Sequence, residues 1–333
     1  MKSIDRPTMK DVALRAHVDI SVVSRVLSQD PRLSVTAATR ARVENAVREL
    51  SYSPNRSARA LRTSKSGLLT FVLPQIANPL YLRMVSGAVQ KAKDLGYQLV
   101  VAELTHAAEQ LREYQASGID GILLATGGLD EDQLGEWMEG QMPVVVVNRT
   151  LENSENWSSV DYPRAATLAA DHLGSLGHRH VMVLTGPEKL PGWSARSDAF
   201  RAVLGDHETV EIRASGLYAD QGYAAAAEIL ARRQGETAVF VTSMMLAVGL
   251  LKGLRESGVS VPEDLSVIAL HDDDLANYVS PPLTTVALPM YQLGQLSVAQ
   301  LVNMIDDKKE GPIVVTDPPQ LVVRGSTGPP GER

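Results

Sequence analysis

From Gly67 onward this 333-residue chain alternates short apolar runs with helical segments, and that alternation constrains the fold more than any other feature. LLTFVL (68–73), YQLVVA (97–102), DGILLA (120–125), PVVVVN (143–148) and HVMVLTG (180–186) read as strands. VEIR (210–213), AVFVT (238–242), LSVIAL (265–270), TTVAL (284–288) and a closing IVV…QLVVRG segment continue the series. Helical patterns fill 79–95, 105–117, about 130–140, 162–176, a stretch from about 194, 220–233, 244–257 and about 290–306. Strands that are apolar throughout and separated by helices imply parallel sheets covered on both faces. More than ten strands are too many for one tidy sheet, so two doubly wound lobes are expected.

The first 66 residues are different. They hold 13 Lys and Arg against 6 Asp and Glu, whereas the whole chain carries a net charge of −7. A basic head on an acidic body suggests an arm that meets nucleic acid. Thr8 caps a first helix with Asp11 at its third position, and Asp19 caps a second, roughly 20–28, whose Val22, Val23, Val26 and Leu27 face inward. Thr36 caps a third, to about Leu50. Two short helices joined by a tight turn, with a supporting third, form a helix-turn-helix, and the second helix enters the major groove. Its leading exposed residues are Ile20, Ser21 and Arg25. The Arg25 fork matches guanine O6 and N7, and Ile20 suits a thymine methyl. Ser24, Arg40 and Asn55 are phosphate candidates, which position without specifying. The plainer alternative is a solvated three-helix bundle with scattered arginines. Next, Pro54 and Asn55 open a short basic helix, 56–62, carrying Arg56, Arg59, Arg62 and a protruding Leu61. Such a helix suits the minor groove, where an apolar wedge parts base steps. A flexible basic linker is the other reading.

TMKDVALRA-HVDISVVSRVLS, followed by SVTAATRARVENAVRELSYSPNRSARALRTSKSG, resembles the headpiece of the LacI–GalR family of bacterial transcription regulators. The likeness runs through GHRHVMVLTG, VPEDLSVIAL, PPLTTV and LVVRGST, so it covers about 8–328. It implies a headpiece at 1–52 and a hinge helix and linker at 53–66, with Leu61 at the centre of a palindromic operator. It also implies a two-lobed, periplasmic-binding-protein-like effector and dimerisation domain at 67–328. Lobe 1 would span about 67–160 plus 290–320, and lobe 2 about 161–289 plus 321–328, with three crossovers. Residues 329–333 are expected to be a disordered tail, as the Pro- and Gly-rich STGPPGER suggests. Thr8, Tyr52, Arg56 and Ala58 complete the DNA contacts the family pattern suggests. His17 stands where the family has Gly, Asp19 where it has Ser, and Val22 where it has Thr.

With no cysteine, disulfides and thiolate chemistry are excluded. Phosphate-loop, dinucleotide and nucleophile-elbow motifs are absent. His178-Arg179-His180 and Asp272-Asp273-Asp274 are weak metal signals. The first reads better as a cationic helix end and the second as an acidic start to a short helix. No cofactor and no enzymatic activity are expected, and the absence of a signal peptide or membrane span suggests a cytoplasmic protein. Ligands of such sheets sit beyond the carboxyl ends of the strands. That places Asn78, Tyr81, Arg149, Trp193 and Arg196 at a cleft for a small-molecule effector, a sugar or related metabolite. Asn78-Pro79, Asp161 and Arg196 match family elements. Two positions depart: Ser243-Met244 follows AVFVT where the family has Asn-Asp, and His271 replaces part of its Gly-Phe-Asp. A carboxylate accepts two hydroxyls of a polyol, Met244 cannot, and His271 does so differently. The changes imply a different ligand class or a vestigial cleft. Overall the sequence predicts a homodimeric regulator of double-stranded DNA.

Overall fold

In a computed structural model, residues 7–27, 35–52, 65–125, 129–187, 194–204 and 209–331 are described. They form two compact units, one ending at Gly67 and one beginning at Leu68.

The first unit contains α1 (Met9–Ala16), α2 (Ile20–Leu27) and α3 (Ala37–Glu49). Thr8 and Asp11 make a reciprocal capping box at α1. His17 closes that helix in the left-handed region at φ 51°, where most families of side chain are strained but His is tolerated. Asp19 accepts a hydrogen bond from Ser21 N at 2.7 Å, which starts α2. Val12, Ala16, Val23, Val26, Val43 and Ala46 meet in a small core. Arg42 Nε donates to the Ala16 carbonyl at 3.2 Å, tying α3 to the end of α1.

The second unit holds two six-stranded sheets. The first contains β1 (Leu68–Leu73), β2 (Gln98–Glu103), β3 (Gly121–Ala125), β4 (Val144–Val147), β5 (Trp157–Ser159) and β11 (Ile313–Val314), in the order β11-β5-β4-β3-β1-β2. All its pairings are parallel. The second contains β6 (Val181–Thr185), β7 (Thr209–Arg213), β8 (Ala238–Val241), β9 (Ser266–Leu270), β10 (Thr284–Ala287) and β12 (Gln320–Val322), in the order β12-β10-β9-β8-β6-β7. Only β12 runs antiparallel to its neighbour. The same order recurs in both sheets, and the chain crosses between them three times: after β5, after β10 and after β11. The α/β class and the two lobes agree with the sequence. The three-residue β5 is absent from the sequence reading, because WSS is too short and too mixed to show periodicity.

The helices are α4 (Pro79–Asp94), α5 (Ala107–Ser117), α6 (Glu131–Met138), α7 (Tyr162–Ser175), α8 (Ser194–Leu204), α9 (Ala219–Arg232), α10 (Met244–Glu256) and α11 (Met290–Ile305). In each lobe one helix pair crosses at glycines. A Cβ on Gly87 of α4 would lie 2.0 Å from the Tyr291 carbonyl oxygen, and one on Gly294 of α11 would lie 1.9 Å from that of Met84. In the other lobe a Cβ on Gly249 of α10 would lie 1.7 Å from the Ala219 carbonyl oxygen, and one on Gly222 of α9 would lie 2.0 Å from that of Leu246. These contacts set how α4 and α10 approach the space between the lobes.

Two expectations need correction. The STGPPGER segment is docked through residue 328: Ser326 Oγ donates to the Val267 carbonyl at 2.6 Å, and Thr327 Oγ1 bonds His172 at 2.9 Å. Beyond it, Pro330 lies against Gly177. His178 is no cationic helix cap. Its Nε2 faces the Gly328 carbonyl at 2.9 Å, which can only accept, so that nitrogen carries the proton. Its Nδ1 then accepts from the Thr237 hydroxyl at 2.8 Å. Burial holds the ring's pKa below its ordinary value, so it is neutral. Hydrogen bonding to a polypeptide tail, unlike helix-end charge, leaves no mark on a sequence. The triple aspartate also divides: Asp272 pairs with Arg324 at 2.7 Å, and Asp273 caps a short 3-10 helix, Asp274–Asn277.

Candidate functional site

On the first unit, α2 presents Ile20, Ser21 and Arg25 to solvent, with Ser24 half-buried beside them. Val23 and Val26 point into the core, so the apolar spacing that holds the helix down also fixes which residues face out. Thr8 is exposed, and its hydroxyl donates to Asp11 Oδ2 at 2.7 Å. Arg40 is half-buried in the first turn of α3. Tyr52 is buried in the headpiece core, and its N–H donates to the Val47 carbonyl at 2.9 Å. Asn55, Arg56, Ala58 and Leu61 lie outside the described residues, as does Trp193.

In the second unit a cavity of about 20 Å³ opens between the lobes. That is room for about one water molecule. Asn78, Arg83 and Met290 wall it from the first lobe, and Ser243, Met244, Met245, His271 and Asp273 from the second. Three predicted residues, Asn78, Met244 and His271, are thus brought together. Asn78 Oδ1 caps α4 by accepting from Leu80 N at 3.1 Å, which leaves its amide N–H groups as donors.

Behind the cavity lies a buried cluster. The Arg196 guanidinium stacks 3.7 Å over the ring of Tyr162, and the edge of Tyr162 meets His271 with centroids 5.8 Å apart. The Tyr162 hydroxyl donates to Asn148 Oδ1 at 2.7 Å. Asn148 and His271 directly follow β4 and β9, the third strands of their sheets, and both are left-handed, at φ 66° and 72°. Asn and His are among the side chains that tolerate this region, and non-glycine residues held in it cluster at functional sites. Tyr162 therefore bridges the left-handed strand ends of the two lobes. The sequence reading used Tyr162 only to start a helix. An aromatic directly after a capping aspartate, beside a strand end, was the signal available.

Burial pushes the hydroxyls of Tyr81 and Tyr162 above the ordinary phenol range. Burial, reinforced by the Arg196 charge, holds His271 well below the usual imidazole range. His271 is therefore a neutral ring with one donor and one acceptor, and neither ring nitrogen has a hydrogen-bond partner. Arg149 is buried, but its Nη1 donates to the Leu129 carbonyl at 2.8 Å and it does not line the cavity. Among the described residues no group of three His, Cys, Asp or Glu is placed to hold a metal ion, and no helix is long and apolar enough to cross a membrane.

The pattern for bacterial regulatory proteins of the lacI family matches residues 8–55, and that for a periplasmic binding protein-like domain matches 170–327. The chain is 31% identical to the HTH-type transcriptional repressor CytR of Escherichia coli (strain K12), across 96% of both chains. It is 30% identical to the HTH-type transcriptional regulator CelR of Thermobifida fusca, covering 96% of this chain and 98% of the relative. Its structure is similar to the Lac repressor dimer bound to operator and the anti-inducer ONPF, with TM-score 0.83 and 26% identity, covering 97% of this chain and all of the other. A CelR–cellobiose complex aligns with TM-score 0.72 and 28% identity over 96% of this chain and all of its own.

Proposed function

The chain belongs to the LacI family of bacterial DNA-binding transcriptional regulators, and from that premise we propose that it is a repressor controlled by a small molecule in its interlobe cleft. Two copies place two α2 helices on two half-sites, so the operator is an inverted repeat that mirrors the two-fold axis of the dimer. Arg25, Ile20 and Ser21 read bases, and Leu61 wedges the central minor groove. Leu82 and Val89, two turns apart on α4, and Val100 on edge strand β2 are exposed apolar side chains suited to the second copy. The repressor acts in the cytoplasm and catalyses no reaction.

The observation that carries the reading is His271. It is buried, left-handed and unpartnered at the wall of a cleft on the same chain as an exposed reading helix. A ligand there need only bind one arrangement of the lobes better than the other to change operator affinity. The test is selection of binding sites from randomised DNA, followed by anisotropy titration with metabolites. Recovery of an inverted repeat, and at least one compound that shifts its affinity, is the expected result. An operator affinity indifferent to every compound that stabilises the chain leaves the regulator without an effector and overturns the cleft's role.

A further inference from the structure

We propose that the interlobe cleft is built for an anionic ligand, one that presents a carboxylate or phosphate group to the N-terminus of α10. This rests on the cleft being the effector site, and it adds the ligand's charge.

The first observation is an open helix end. The N-cap of α10 is Ser243, and its side chain makes no capping bond. Ser243 and Met244 are buried at the cavity wall. The leading N–H groups of a 13-residue helix thus end at the cavity without a capping side chain, carrying the positive end of the helix dipole. Two other helices begin at this cavity: α4 is capped by Asn78 and starts with Pro79, which has no N–H to offer, while α11 starts at Met290 after Pro289, also without a capping side chain. A buried helix end without a partner is costly, and an anion satisfies it.

The second observation is independent of the helix. His271, on the same wall, has 4% of its surface exposed and neither ring nitrogen bonded. One N–H is available to an acceptor brought by a ligand. Arg196, stacked on Tyr162 behind it, adds positive charge close enough to act on the His271 ring. Arg83 stands at the same cavity and is exposed.

Of the two acids at this cavity, one is neutralised by an arginine and the other keeps its charge beside a backbone donor. Asp272 is committed to Arg324 at 2.7 Å and also accepts from the Thr285 hydroxyl at 2.5 Å. Asp273 is turned to the Leu275 N–H at 3.2 Å. A neutral polyol needs acceptors for its hydroxyl protons, and Met244, Met245 and Met290 offer only weak thioether acceptors. The open helix end, the Asn78 amide and His271 all offer N–H groups to the cavity, which favours a ligand that brings acceptors.

The test uses the full chain at constant ionic strength, with melting temperature as the readout. The probes are inorganic phosphate, succinate, and the pairs glycerol with glycerol 3-phosphate and glucose with glucose 6-phosphate. Anions are expected to raise the melting temperature by a few degrees while their neutral partners do not. Phosphate and succinate separate the two sources of negative charge. Met244→Asp puts a carboxylate at the helix end and should weaken the anion response by about tenfold or more. Met244→Asn has the same shape without the charge and should lose far less. Equal responses from the Asp and Asn variants, or stabilisation by neutral compounds alone, overturn the proposal. So does a panel without any shift. Operator affinity measured on the same samples separates the two readings. A neutral compound that releases DNA sinks the anion site but keeps the effector cleft, whereas an anion that binds without touching operator affinity does the reverse.

Discussion

A single buried imidazole makes the fold sensitive to acid. His271 is neutral because burial and Arg196 oppose its charged form. In the unfolded chain an imidazole titrates near its ordinary value of about 6.5. Above that value both states are neutral and the group contributes nothing to pH dependence. Below it the unfolded chain binds the proton first, so stability falls as pH drops. His178 and His172, both also shifted down by burial, act in the same direction. The melting temperature is therefore expected to fall between about pH 7 and 5. His271→Asn should flatten that slope, because asparagine tolerates φ 72° and does not titrate. An unchanged slope in this variant removes His271 from the account. At the other end of the chain, Arg25 sits exposed on α2. Arg25→Ala should cost about 1–3 kcal/mol of operator binding and relax one base position. If the loss is uniform across all sequences, Arg25 touches phosphate and not a base.

Helix α10 reaches the cleft at a height fixed by glycines, not by its apolar stripe. Gly249 and Gly222 let the backbones of α9 and α10 touch, and Gly87 with Gly294 does the same for α4 and α11. Gly249→Val has backbone on its contact side, so nothing flexible can give way. The helices must separate, at a cost of the order of 1–3 kcal/mol or more. Chemical denaturation should show that loss in the effector unit, while the headpiece, with its own core, keeps its stability. Equal loss in a surface control such as Gly174→Val, whose Cβ would meet open space, counts against the crossing. The elements themselves were legible in the sequence. Uniform apolar runs gave the parallel strands, and Thr8 and Thr36 marked helix starts that the fold uses as caps. The glycine crossings were not legible, since they depend on which helices meet. The docked tail failed for the same reason. Ser326 and Thr327 look like loop residues until Thr284 and His172 are placed beside them. The cleft was half legible: Asn78, Met244 and His271 follow from strand ends and family departures, but Tyr162 bridges two lobes that no local pattern relates.

The lobes are joined by three crossings and share one continuous apolar cluster that runs from Leu69 and Phe71 to Phe240 and Ile268. A relative movement of the lobes must repack part of that cluster, and close-packed interiors move between discrete arrangements more readily than they deform. The cavity of about 20 Å³ has room for about one water, so an effector in this cleft requires a wider arrangement of the lobes than this one. A ligand must therefore select or produce a wider cleft, and its apparent affinity carries the cost of that opening. If the operator prefers one of the two arrangements, the two ligands are linked and the linkage is reciprocal. The factor by which an effector changes operator affinity must equal the factor by which operator DNA changes effector affinity. Typical couplings of about 1–3 kcal/mol make this a factor of roughly 5–150. Calorimetric titration of effector into the free chain and into the operator complex measures one side, and anisotropy with and without effector measures the other. Agreement is expected within error. An effector that binds free chain and operator complex with the same affinity, and that leaves operator affinity unchanged at saturation, has no coupling to DNA and sinks lobe movement as the switch.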